Sequence, residues 1–154
     1  MHRNVFFSGK GGVAILYRKN LSFSIREIPC YDSNRIIDIE LKTSNGSNLY
    51  ILGVYLPSDS NINSYAQELN MLENLYSHYL NYGKVIIAGD FNASLIETIG
   101  TNERKSQILS SFAFRHNLCI PYLDFDSIGE QFSFVQKKTT LDYILFDKSV
   151  QNLL

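Results

Sequence analysis

The sequence predicts an α/β domain in which helices flank a mixed β-sheet, and three observations support that class. The chain has 154 residues, of which 45% are hydrophobic, the size and apolar content of one globular domain. Short apolar runs alternate with polar breaks in the first third, as strands do. Two stretches of helical periodicity then alternate with further apolar runs, so helices should cover the sheet faces. We therefore predict a single domain over residues 1–154, an α/β sandwich built on mixed sheet.

Four apolar runs before Pro57 are predicted to be strands. They are residues 13–17, 23–25, 36–41 and 50–55. An Asn45-Gly46 pair stands between the third and fourth runs. Because Asn-Gly favours tight antiparallel connections, these two runs are predicted to form a hairpin.

The spacing of apolar residues changes after Pro57. They recur at three- and four-residue steps from Ile62 to Leu80, which predicts an amphipathic helix that ends before Gly83. The apolar run 84–88 follows at once. We expect it to be a strand buried on both faces of the sheet.

A second helix is predicted from near Asn102 to near His116, because an acidic residue stands in its first turn and apolar residues follow at helical spacing. Its predicted buried residues are Ile108, Leu109 and Phe112. Two final strands are predicted at 131–135 and 141–146, separated by a polar break.

Charge and composition restrict the classes of partner. The net charge is −1, so the whole chain has no electrostatic attraction to a polyanion, and binding to nucleic acid would need a local patch. Two basic pairs are candidates, with solvated surface charge as the simpler interpretation: Arg104-Lys105 and Lys137-Lys138.

Cys30 and Cys119 stand in separate apolar segments, which indicates reduced core thiols more than a disulfide framework. The sequence shows neither an apolar run of roughly 20 residues nor a signal-peptide layout. We expect an intracellular protein, nuclear or cytoplasmic.

The sharpest local signal for chemistry is Gly89-Asp-Phe-Asn92, at the end of the predicted strand 84–88. Asp90 and Asn92 are two residues apart, so both side chains are expected on one side of that strand. A carboxylate there can bind Mg²⁺ or orient a water, and an amide can donate to a phosphate oxygen without repelling it. The alternative is a simple turn closed by an Asx cap.

These residues resemble the central motif of the endonuclease/exonuclease/phosphatase superfamily. Four further segments resemble motifs of that family in the family's order: Gly12–Tyr17, Gly53–Pro57, Phe132–Phe134 and Leu141–Leu145. The resemblance extends across nearly the whole chain and implies a DNase I-like fold.

The resemblance also implies roles for four residues. Asp90 would bind Mg²⁺ or Mn²⁺ and position or deprotonate the attacking water, and Asn92 would hold the phosphate. Tyr55 would donate to a non-bridging phosphate oxygen, although a strand-end tyrosine is also common in cores. Asp142 would orient a catalytic histidine. Independently of the family, an acid in an apolar strand needs a partner.

Within the superfamily, residues 101–109, followed by Phe112 and Asn117-Leu118, are similar to a stretch in endonuclease domains of non-long-terminal-repeat retrotransposons. This implies a Mg²⁺-dependent endonuclease whose partner is a DNA phosphodiester. An inositol-phosphate phosphatase-like phosphoesterase is the alternative that shares the central motif.

The chain departs from the family pattern at both ends. The family has an asparagine and a metal-binding glutamate before the segment at Gly12, and a histidine after the segment at Leu141, and the sequence matches none of them. His2, His78 and His116 do not stand at the required position. We therefore expect an incomplete domain with weak metal binding and little or no nuclease activity of its own. The alternative is a non-catalytic remnant.

Ser8-Gly-Lys-Gly-Gly-Val13 resembles the start of a deviant phosphate-binding loop of ATPases. Such a loop must continue into Gly-Lys-Ser or Gly-Lys-Thr at the beginning of a helix. Apolar residues of strand type follow instead, so ATP binding is not predicted.

Overall fold

The computed structural model describes residues 12–21, 23–28, 33–42, 46–95, 103–121, 132–134, 136 and 139–153. Six strands within these residues form one sheet in the order β1-β2-β3-β4-β6-β5. The strands are β1 (Ser24–Ile28), β2 (Ile36–Lys42), β3 (Asn48–Tyr55), β4 (Lys84–Asp90), β5 (Leu118–Cys119) and β6 (Asp142–Asp147). The helices are α1 (Ile62–Leu80), α2 (Glu103–Arg115) and a 3₁₀ helix (Lys148–Leu153).

The sheet is mixed, as the sequence predicted. β1, β2 and β3 are antiparallel neighbours, β3 and β4 are parallel, and β4 and β6 are antiparallel. The predicted hairpin is confirmed by the register from Ile36↔Val54 to Lys42↔Asn48. Its connection includes Gly46, whose φ of 82° suits glycine, while residues 43–45 lie outside the described part.

Helix α1 provides the crossover between the parallel strands β3 and β4, and its predicted bounds are confirmed. The Asn61 side chain accepts hydrogen bonds from the amides of Asn63 and Ser64, so it caps the first turn. The buried stripe of α1 consists of Tyr65, Leu69, Leu72, Tyr76 and Tyr79.

Both long helices pack on the same face of the sheet, which we call the helix face. Its core combines Leu72 of α1 and Phe112 of α2 with alternate residues of the central strands. The strand residues in this core are Ile36, Tyr50, Leu52, Val54, Val85, Ile87, Leu118, Tyr143 and Leu145. The expectation that β4 is buried on both faces was therefore wrong, since Val85 and Ile87 are fully buried but Ile86 and Ala88 only partly.

Val13 and Ile15 lie against the opposite face, which we call the open face, and the prediction of a strand at residues 13–17 was wrong. A Cβ atom on Gly53 would lie 3.1 Å from Cγ1 of Val13 and 3.3 Å from Cγ1 of Ile15. The alternation of apolar residues thus reflects packing on the sheet surface. Strand structure also needs a hydrogen-bonded neighbour, and within the described residues this segment is in no strand.

The C-terminal third differs most from prediction. The predicted strand 131–135 is reduced to a single bridge between Phe134 and Thr139, with residues 131 and 135 outside the described part. The sequence did not reveal β5, whose Cys119 is buried with Phe146 and Val150. Cys30 lies outside the described residues. No helix in the described ranges is long and apolar enough to cross a membrane.

Candidate functional site

Side chains from four chain segments line up at one edge of the sheet, where β3 and β4 end and β6 begins. Tyr55 pairs with Asp90, and Asp90 pairs with Asp142. The Tyr55 amide donates to the Arg35 carbonyl at 2.9 Å, so Arg35 lies next to Tyr55, on the side away from Asp90. Directly opposed residues share a face, and strands are about 4.8 Å apart, so this site row spans roughly 14 Å of the open face.

A glycine makes the close approach of β3 and β4 possible beside Asp90. Gly89 has a φ of 148°, which side-chain-bearing residues rarely adopt. A Cβ atom there would lie 2.0 Å from the Val54 carbonyl oxygen. Any other residue at position 89 would push the strands apart and displace Asp90 from Tyr55.

Asn92 reaches the site through a turn and not through strand alternation, so the reason given from the sequence was wrong. β4 ends at Asp90, and Asn92 has a φ of 47°, a left-handed conformation that asparagine tolerates. The Asn92 amide donates to Oδ1 of Asp90 at 2.9 Å. This is the Asx turn that the sequence left open as an alternative, and it holds the carboxylate in place.

The Asn92 side chain joins the two strand ends. Its Nδ2 donates to the Leu56 carbonyl at 2.9 Å, and the Leu56 amide donates to the Asp90 carbonyl at 2.9 Å. A side-chain amide carries two N–H donors, so this bond leaves one donor of Asn92 for a ligand.

The two acids of the site row lack a basic partner. Burial raises the pKa of Asp90, the neighbouring charge of Asp142 raises it further, and the hydrogen bonds from Asn92 oppose this shift. Among the described residues no ion pair involves Asp90 or Asp142. A carboxylate with a raised pKa beside a second acid is an arrangement that often occurs at functional sites.

Tyr55 is half-buried and in contact with a basic side chain that the sequence analysis missed. The Cζ atom of Arg35 lies 5.3 Å from the centre of the Tyr55 ring. Its Nη1 also donates a long hydrogen bond of 3.4 Å to the Tyr55 carbonyl. Arg35 directly precedes a predicted strand, and no spacing rule distinguishes such a residue from surface charge.

Asp142 is exposed at the start of β6, so the expectation from the sequence that it is a buried acid in need of a partner was wrong. The Ser133 hydroxyl accepts hydrogen bonds from the amides of Leu141 at 2.9 Å and Asp142 at 3.2 Å. The segment 132–134 therefore holds the beginning of the strand that carries Asp142.

The histidines lie elsewhere. His78 is exposed in the last turn of α1. His116 follows α2, with Nε2 2.7 Å from Oε1 of Glu73 and its ring 5.0 Å from that of Tyr76. His2 is outside the described residues. Hence no described histidine is at the site row.

Of the two basic pairs that the sequence offered as contacts for nucleic acid, the structure describes one. Lys137 and Lys138 lie outside the described residues, and Arg104 is exposed on α2. Lys105 is only 2% exposed, so neither a nucleic-acid contact nor solvated surface charge describes it.

The sequence profile of the endonuclease/exonuclease/phosphatase family matches residues 2–152. The chain belongs to the endonuclease/exonuclease/phosphatase family. The resemblance seen in the motifs is thereby confirmed. A search among curated proteins gave no match.

Several solved structures share the fold of this family member. The endonuclease domain of TRAS1, a telomere-specific non-LTR retrotransposon, superposes with a TM-score of 0.60 at 16% identity, over 88% of this chain and 60% of that one. The APE2 catalytic domain of Xenopus laevis gives 0.53 at 19% identity, over 77% and 48%. The 3′ phosphatase NExo from Neisseria, bound to product DNA hairpin, gives 0.55 at 14% identity, over 83% and 59%.

At these identities the likeness shows the fold alone. It confirms the predicted DNase I-like α/β class. This family member spans 60% or less of the length of these three structures.

Proposed function

We propose that the site row, formed by Arg35, Tyr55, Asp90 and Asp142, together with Asn92, is a phosphodiester site of a metal-dependent DNA endonuclease. The observation that carries this proposal is the register Tyr55↔Asp90↔Asp142, which places a phenol beside two carboxylates that have no ion-pair partner within the described chain. A fold retains opposed like charges at a cost, since directly opposed like charges are destabilising.

The residues fit a hard divalent cation. Mg²⁺ is usually bound by one or two carboxylates and keeps several waters, and Asp90 with Asp142 beside it offers that donor chemistry. No group of three or more His, Cys, Asp or Glu side chains able to hold a metal occurs in the described residues. We therefore expect Asp90 to hold Mg²⁺ or Mn²⁺ weakly, with water in most coordination positions.

The other members of the site have roles in the same reaction. Phosphodiester hydrolysis builds negative charge on the phosphoryl oxygens, and a bound divalent cation would help to neutralise it. Tyr55, the remaining donor of Asn92 and the Arg35 guanidinium can donate to those oxygens. Each such donor is worth about 3 kcal/mol in the transition state. The raised pKa of Asp90 makes its carboxylate a better acceptor for a proton from water.

Two similarities support DNA as the substrate. The TRAS1 domain is an endonuclease of a retrotransposon, and NExo was solved with a product DNA hairpin. Arg35 adds a planar cation suited to the phosphates of a nucleic-acid backbone. An inositol-phosphate phosphatase-like activity would instead need a basic pocket for several phosphates, and Arg35 is one cation.

A specific observation favours a second candidate, a non-catalytic member of the family. Within the described residues the site has neither the metal-binding glutamate nor the histidine of the family pattern. Such a protein would keep the site row without hydrolysing DNA.

A plasmid-nicking assay tests the proposal. The purified chain is incubated with supercoiled plasmid and Mg²⁺ or Mn²⁺, beside Asp90→Ala and the matched control Glu103→Ala, an exposed acid on α2. We expect slow nicking that Glu103→Ala retains and Asp90→Ala reduces by about 10² or more. Equal nicking by Asp90→Ala would refute the assignment of the site, and absence of nicking at every concentration would favour the non-catalytic candidate.

A further inference from the structure

Lys105, in the first turn of α2, is buried on the helix face. It is only 2% exposed, and its Nζ donates to the Pro57 carbonyl at 2.6 Å. Nζ also lies 5.0 Å from the centre of the Tyr65 ring. Burial lowers the pKa of the ammonium, and the nearby charge of Asp59 opposes that shift.

A lysine is an unfavourable residue for such a position unless its ammonium makes defined contacts. Lysine is among the residues least often fully buried, because removing its charge from water is costly. Methionine would fill similar space without that cost. The contacts of the ammonium therefore indicate what the residue does.

Those contacts reach the backbone that carries the site row. Pro57 is two residues after Tyr55, and Leu56 between them bonds both Asp90 and Asn92. An ammonium that fixes the Pro57 carbonyl thus limits where the Leu56 carbonyl lies. The Leu56 carbonyl in turn orients the Asn92 side chain.

Neighbouring contacts hold the second strand end in the same way. The Tyr65 hydroxyl donates to the Phe91 carbonyl at 3.1 Å. The Ser106 hydroxyl, next to Lys105, accepts from the Ser94 amide at 3.3 Å. The first turn of α2 therefore contacts the segments after β3 and after β4, which are the two segments that meet at Asn92.

We propose that Lys105 is a positioning residue that orients Asn92 and Tyr55 by fixing the chain at Pro57. The proposal deepens the proposed function, because the residues positioned belong to the phosphodiester site. Lys105 lies on the helix face and the site row on the open face, so the effect passes through the backbone and not through contact with substrate.

The test compares Lys105→Met with Lys105→Arg by NMR of the ¹⁵N-labelled full chain, well below the unfolding temperature of each variant. Lys105→Met keeps length and removes the donor, while Lys105→Arg keeps a cation that can reach the carbonyl. We expect Lys105→Met to shift the side-chain amide signals of Asn92 and the backbone amide of Tyr55. In Lys105→Arg these signals should stay close to their wild-type positions. The amides of β1 and β2 should match the wild type in both variants.

A purely structural role predicts a different result. In that case Lys105→Met would lower the unfolding temperature while the Asn92 and Tyr55 signals of the folded protein stayed at wild-type positions, and the proposal would be wrong. If Lys105→Met does not fold, Lys105→Leu, which also lacks a donor, replaces it. Shifted Asn92 signals would then support positioning, and wild-type signals would overturn it.

Mn²⁺ binding separates this proposal from the proposed function. Supporting residues around a metal site typically change its affinity by 10- to 100-fold, so we expect about tenfold weaker Mn²⁺ binding in Lys105→Met and recovery in Lys105→Arg. If the wild type itself shows no Mn²⁺ effect at Asp90, the proposed function fails. The shifts of the Asn92 and Tyr55 signals still decide whether Lys105 positions them.

Discussion

Two pairs of acidic residues on opposite faces of the sheet differ in their partners. Asp38 and Glu40, on the helix face of β2, are 4% and 3% exposed. Glu40 accepts from Arg26 Nε at 2.6 Å and from the Tyr50 hydroxyl at 3.1 Å, and the Tyr79 hydroxyl donates to Asp38. The rings of Tyr50 and Tyr79 stack, with centroids 4.4 Å apart.

Asp90 and Asp142 oppose each other on the open face, and neither has a basic partner in the described chain. The fold itself provides two donors to Glu40 and one to Asp38, whereas the second pair sets two carboxylates opposite each other without an ion-pair partner in the described residues. The comparison teaches that the partners of an acid, more than its burial, separate a structural role from a role in binding.

The largest expected effect concerns Glu40. Glu40→Gln removes the charge that Arg26 and Tyr50 bond, and hydrogen bonds to charged groups contribute about 1.5–3 kcal/mol each to stability. Because Arg26 is largely exposed, we expect the lower part of that range, about 2 kcal/mol less free energy of unfolding. Urea denaturation measures it.

Asp142→Asn is the matched control for Glu40→Gln. It removes one of two opposed like charges, so the free energy of unfolding should stay the same or rise by about 0.5 kcal/mol. If both substitutions destabilised the chain equally, the distinction between the two acidic pairs would be lost.

A smaller effect is the pH dependence from Asp38. Burial raises the pKa of Asp38 above its ordinary value of 3.8, although the bond from Tyr79 opposes the shift, and Oδ1 is buried without a hydrogen-bond partner. The folded state therefore favours the protonated acid. This contribution to stability is present at low pH and is lost as pH rises through the raised pKa.

Unfolding temperatures of the wild type and Asp38→Asn, measured from pH 8 down to pH 3, isolate that contribution. The advantage of the Asn variant over the wild type should shrink as pH falls, because the wild-type acid becomes protonated. Glu40 and Glu73 have lowered pKa values, so the stability that they contribute is lost only as pH falls below their ordinary 4.5, and this loss is common to both proteins. A difference that is constant with pH would show that Asp38 is not the source.

Local patterns predicted much of the fold. The apolar stripe from Ile62 to Leu80 predicted the bounds of α1, and alternation with an Asn-Gly pair predicted the β2–β3 hairpin. Three members of the site row, Tyr55, Asp90 and Asp142, could also be identified from the sequence, since their motifs lie at the ends or the beginning of adjacent strands. Whether Asp90, Asn92, Tyr55 and Asp142 act in catalysis stays a prediction.

Other features depend on tertiary contacts that spacing does not encode. Residues 13–17 alternate like a strand but pack on the sheet surface beside Gly53. Arg104 and Lys105 are adjacent basic residues that look alike in the sequence. Lys105 is buried because α2 places it beside Pro57 and Tyr65, whereas Arg104 is exposed. Arg35 joins the site through its contact with the Tyr55 ring, which no motif includes.

Titration of the ¹⁵N-labelled chain with Mn²⁺ tests the central claim most directly, because the paramagnetic ion broadens the signals of nearby nuclei. The account predicts selective broadening at Tyr55, Asp90, Asn92 and Asp142 in the wild type, and its loss in Asp90→Asn. Broadening centred on Asp38 and Glu40, or unchanged broadening in Asp90→Asn, would contradict the assignment of the site row as the metal and phosphate site.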